Sequence, residues 1–131
     1  MKIVNRKTFL SLPTGTLFTK FAPDYFEDLC IKGETWWHPD EDAAHDFLYQ
    51  SINDAVRCNS SEDFSNQLDL AHEYGQSIPL DLDCTSRDGL FDKEQLFAVW
   101  ERVDVEQLLV RLGNALGDGY SERFEIGNRL R

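Results

Sequence analysis

The feature that most constrains this chain is a series of short runs with two-residue hydrophobic alternation, the first three joined by short links with no helix between them. Residues 16–21 alternate, with Leu17, Thr19 and Phe21 facing one way and Phe18 and Lys20 the other. A second run spans Leu29 to Thr35, extending toward Trp37 and weakened at Gly33. A third covers Asp46 to Ser51, where a short helix through Val56 is the competing reading. Further runs are Ile78-Leu80-Leu82, alternating with Pro79, Asp81 and Asp83, and residues 95–101. Pro79 places the former at a sheet edge or at a strand start, because proline cannot donate to a ladder.

Helical periodicity appears at only three places. Asn5 can cap a short helix over 6–12, its side-chain oxygen accepting a free N–H of the first turn. Ser60 or Ser61 opens the clearest helix, in which Phe64, Leu68, Ala71 and Tyr74 form one stripe and Gly75 closes the end. Asp104 and Gln107 have capping-box spacing for a last helix over 105–116, with Val105, Leu108, Leu109, Leu112 and Leu116 on its apolar side and Gly117 at its end. The order is α-β-β-β-α-β-β-α. Clustered strands with short links predict an α+β fold: an antiparallel sheet of about 4–5 strands, with two main helices and a short N-terminal helix packed on one face. At 131 residues the chain reads as a single domain over 1–117. Residues 118–131 read as a mobile, basic-tipped tail.

Charge narrows the function classes. The chain carries 24 acids against 13 bases, net −11. Residues 1–22 have four bases and no acid, 23–106 are net −16, and 107–131 are net +1. Such a middle repels nucleic acid, whose binding needs phosphate neutralisation, and anionic membrane surfaces. It attracts basic surfaces. No run of 18 apolar residues and no signal-peptide core occurs, so the expected location is the cytoplasm. Cys30, Cys58 and Cys84 are odd in number and lack a C-x-x-C, which points to reduced thiols.

Motifs for chemistry do not rise. Aligning Gly89 with the calcium-loop glycine puts Cys84 at position one and Gln95 at position twelve, where Asp and Glu are wanted. His38 and His45 flank Asp40, Glu41, Asp42 and Asp46, but at no standard metal spacing. There is no G-x-S-x-G, Walker A loop, G-x-G-x-x-G or H-E-x-x-H. No catalytic residue, metal or cofactor is implied. The better signal is aromatic. Trp36 and Trp37 end a strand and should point oppositely, leaving one as an exposed anchor. Tyr25 and Phe26 are a second aromatic candidate.

Leu12–Phe18, Ile31–Thr35, and Arg87-Asp88-Gly89 with Gln95–Trp100 resemble segments of small, functionally uncharacterised proteins encoded in phage and prophage genomes, over most of residues 1–112. The resemblance implies a phage setting, hence a host cytoplasm, and no defined activity. The expectation is a non-enzymatic binding protein that blocks a basic surface on a host protein, of the anti-CRISPR or nucleic-acid-mimic type. Its contacts would be Trp36, Trp37, Asp40, Glu41, Asp42, Asp81, Asp83 and Asp88. A toxin-neutralising partner and a small metal-binding or enzymatic module are the alternatives. Oligomeric state is open.

Overall fold

The computed structural model describes residues 1–38 and 43–120. The elements are β1 (Lys2–Val4), α1 (Arg6–Leu10), β2 (Leu17–Ala22), β3 (Tyr25–Phe26), β4 (Cys30–His38), β5 (Ala43–Ser51), α2 (Ser61–Tyr74), β6 (Ser86–Arg87), β7 (Leu96–Val99) and α3 (Arg102–Gly119). Six strands lie in the order β1-β7-β2-β4-β5-β6, and β3 pairs with β2. Every pairing is antiparallel. The class is α+β as read from the sequence. The strand count exceeds four to five because β1, β3 and β6 are ladders of two or three residues, too short to leave a periodic signal.

The core is built on phenylalanine. Phe9 of α1 stacks on Phe97 of β7 with centroids 4.0 Å apart, and meets Phe18 of β2 at 4.6 Å and Phe47 of β5 at 4.9 Å. In a flat sheet β5 and β7 would stand three strand spacings apart, about 14 Å. Their Phe47 and Phe97 rings are 5.9 Å apart, so the sheet curls toward its phenylalanine face. α1 lies in that concavity against β5 and β7. Register shifts in the β4–β5 ladder between Lys32 and Thr35, and between Trp36 and Trp37, add bend where the two longest strands run together.

Local signals explain much of this. The Thr8 N–H donates to Asn5 Oδ1 at 2.9 Å, capping α1 as expected. Ser60 caps α2 through the Asp63 N–H, and Gly75 takes the left-handed position at φ 66°. Gly33 answers to crowding. A Cβ there would sit 2.9 Å from Cys84 Cβ and 3.0 Å from Leu48 Cβ, so the absent side chain lets the segment around Cys84 lie on the sheet. Residues 43–51 form a strand, which settles the choice against a helix.

Three expectations are corrected. Residues 78–85 form no strand: a single bridge joins Leu80 to Val56, and Leu80 is 69% exposed. Their alternation arises in an extended segment hung on Ala55 and Pro79 carbonyls rather than in a half-buried ladder. The last helix begins at Arg102, because the Glu101 N–H donates to Asp104 at 2.9 Å. Asp104 is therefore its third residue and not its cap. The helix also passes Gly117 to Gly119, so the proposed tail overlaps it by two residues; 121–131 lie outside the described residues. Neither α2 nor α3 contains a buried residue. No helix among the described residues is long and apolar enough to cross a membrane.

Candidate binding surface around Trp36 and Arg87

One surface feature grows from buried charge. Asp46 on β5 and Asp88 just past β6 have side chains at 0% and 1% exposure. Arg87 Nε donates to Asp46 Oδ2 at 2.6 Å, and the Gly89 N–H reaches the same carboxylate. Lys20 Nζ donates to Asp88 Oδ1 at 2.6 Å. Buried Arg6 links the pair, 3.4 Å from Asp88 and 3.7 Å from Asp46, and also donates to the His45 carbonyl. Two carboxylates thus meet three cations drawn from α1, β2 and β6. Burial alone would push the Asp46 carboxyl up. The Arg87 hydrogen bond, the Phe47 and Gly89 N–H groups and the Arg87 charge outweigh it and hold the carboxyl below its usual range.

An aromatic ladder stands on this base. The Arg87 guanidinium lies 4.5 Å from the Trp36 ring and 5.6 Å from the Phe91 ring. Phe91 continues to His45 at 4.6 Å, and His45 to His38 at 5.2 Å. Phe91 holds φ at 54°, a left-handed conformation that costs a non-glycine residue free energy and persists where surroundings enforce it. Here Arg87 and His45 flank its ring. Trp36 stays 43% exposed and neighbouring Trp37 63%. Both tryptophans are open, not one, because the register shift between them breaks the strict alternation of a regular strand.

The expected contact residues fare differently. Trp36 joins the ladder, and Trp37 lies beside it in sequence. Asp88 is not an outward carboxylate: Lys20, Arg6 and the Leu90 N–H take it up. Its role is to pin the loop that carries Phe91. Asp81 is half-buried and its carboxylate accepts the Asp83 N–H at 2.9 Å, a local turn rather than a strand face; Asp83 is exposed. Among the described residues no hydrogen bond, ion pair or ring contact ties either to the Trp36 ladder. Asp40, Glu41 and Asp42 lie outside the described residues. Tyr25 and Phe26 are exposed on β3, with Phe26 against Phe21.

In the sequence Arg6, Lys20, Arg87 and Phe91 carry no mark of this site, and Asp46 stands out only beside His38 and His45, where metal spacing is lacking. The one available signal was Asp46, an acid opening an otherwise apolar strand run.

Burial first, then the Asp28 charge, pushes the Cys30 thiol up to about 11. Burial and Asp83 also raise Cys84. Both thiols are protonated near neutrality and are poor nucleophiles. Among the described residues no three His, Cys, Asp or Glu are grouped to hold a metal ion. Compared with protein-family models, curated proteins and solved structures, the chain matches none.

Proposed function

We propose that this chain is a non-enzymatic binding protein that occupies a basic surface on a protein partner, with Trp36 and Trp37 as its apolar anchors. The observation that carries this reading is the exposed Trp36–Arg87–Phe91 stack fixed to a buried ion network. Tryptophan and arginine dominate interface hot spots, and a side chain ordered before binding loses less entropy on association. The net charge of −16 over residues 23–106 selects a basic partner. The phage-like segments make a host-defence nuclease, such as an RNA-guided effector complex, the partner class to test first. The protein would act there by covering phosphate-binding positions.

Surface plasmon resonance against a purified effector complex tests the proposal. Trp36→Ala or Trp37→Ala should weaken binding about 30-fold, the equivalent of about 2 kcal/mol for a hot-spot residue. Affinity should also fall as salt rises from 50 to 300 mM. Binding indifferent to salt and to both substitutions would overturn the mechanism, and absence of binding would remove this partner class.

A further inference from the structure

Beside Phe18, on the concave side of the sheet, a cavity of about 390 Å³ opens to solvent. Phe18, Cys30, Tyr49 and Ser51 line its inner part, and exposed Glu27, Asp28 and Asp54 line its mouth. Its size is at the lower end for ligand sites, suited to one side chain or a small molecule. Lys20 also borders it, but its ammonium is committed to Asp88 at 2.6 Å. None of the three mouth carboxylates has a cation within ion-pair distance among the described residues. The Ser51 hydroxyl oxygen is buried and makes no hydrogen bond of regular geometry. Its polar neighbour is the Cys30 thiol, a weak partner. A buried polar atom so placed is an unmet demand on the inner wall.

These features together select the occupant. Unpaired carboxylates exclude an anion. They do not gather as a metal-holding group, so a compact metal ion would not satisfy them together. An organic cation with donors spread over a plane, on an apolar stem, fits a spread acidic mouth over an aromatic floor. We propose that this cavity receives an arginine side chain of the basic partner, drawn in by the carboxylates of Glu27, Asp28 and Asp54 around the mouth, its stem passing between them and its guanidinium lying over the Phe18 and Tyr49 rings toward the Ser51 hydroxyl. The inference rests on the binding reading above and adds to it a second contact site, separate from the tryptophans.

The test uses N-acetyl-arginine amide as probe, with ¹H–¹⁵N spectra of the whole protein. Addition should shift the amides of Asp28, Cys30, Ser51 and Asp54 saturably. Asp28→Asn with Asp54→Asn should weaken the probe at least five-fold, while Asp81→Asn leaves it unchanged. N-acetyl-glutamine amide should give no saturable shift. Shifts scattered over the acidic surface, an equal response to the glutamine probe, or indifference to the double variant would overturn the proposal. If the double variant leaves partner affinity unchanged while Trp37→Ala weakens it, the cavity inference falls and the binding reading stands. If neither substitution matters, the reading falls with it.

Discussion

The curled sheet and the two long helices make opposite use of the same residue types. Around Phe9, Phe18, Phe47 and Phe97 the chain buries its aromatic side chains fully, and closes even its charges into a network beside them. α2 and α3 carry apolar stripes as regular as any in the sequence, yet Leu68, Leu70, Leu109 and Leu112 are exposed. Periodicity states which side of a helix would be buried. Whether anything covers that side depends on where the helix is tethered. α3 is held through Glu101 and Asp104 near the N-terminal amine, 2.6 Å from Asp104. α2 is held through Gln67 on the Arg57 carbonyl. Neither the tether at the start of α3 nor the one from Gln67, midway along α2, to the loop just before that helix presses a face onto the sheet.

The sharpest way to break this contrast is Phe9→Ala. Phe9 touches the three other buried rings, so its loss leaves a cavity that curled strands cannot collapse. A loss of about 3–5 kcal/mol is expected by urea unfolding, a large share of the stability of a domain this size. A loss under 1 kcal/mol would mean that the phenylalanine cluster is not the core that holds the sheet in its curl.

Asp46→Asn comes next. It leaves Arg6 and Arg87 facing a neutral amide in a buried site, an expected loss of about 2–4 kcal/mol. Tryptophan emission should change as the Arg87–Trp36 stack loosens. The pH dependence has a definite sign. The folded Asp46 carboxyl lies below its unfolded value near 3.9. Its stabilisation is therefore complete above that value and is lost as pH falls through the depressed folded one. Below pH 4 the wild type should lose stability more steeply than Asp46→Asn; parallel profiles would show that the network contributes no ionic stabilisation.

How far the sequence could be read divides along the same line. Capping at Asn5, the Ser60–Gly75 helix and the antiparallel sheet were legible because each is decided by neighbours in the chain. The curl was not, since it depends on Phe9, Phe47 and Phe97 meeting across 88 positions of sequence. The buried role of Asp88 was hidden for the same reason: its partners Arg6 and Lys20 are 82 and 68 residues away. An aspartate before glycine looks like any turn until those cations arrive. Ile78-Leu80-Leu82 shows the converse failure, alternation with no neighbouring strand to complete a ladder.

Lys32 gives a smaller effect of the same sign, displaced to alkaline pH. It is 1% exposed, donates to Thr35 Oγ1 at 2.6 Å and to the Gly33 carbonyl, and has no carboxylate within ion-pair distance among the described residues. Burial lowers its pKa. The folded state therefore releases this proton at lower pH than the unfolded chain. Stability should rise with pH from the depressed folded value up to the ordinary lysine range near 10.4. Cys30 and Cys84, whose thiols are raised, act with the opposite sign in this range, so Lys32→Met should make the pH slope of urea midpoints from pH 8 to 10.5 less positive than in the wild type. An unchanged slope would assign the pH response to another group.

The smallest effect probes the other side of the contrast. Leu109→Ala on α3 removes a side chain that is already 57% exposed, so little apolar surface is lost from the folded state. Alanine also has the higher helix propensity, which offsets part of that loss. The net change should stay within about 0.5 kcal/mol, as for surface positions generally, and should not vary with protein concentration. A loss above 1 kcal/mol that grew as the protein was concentrated would show a second copy covering this face. α3 would then belong with the phenylalanine core, as apolar surface that is buried, but only in the assembled protein.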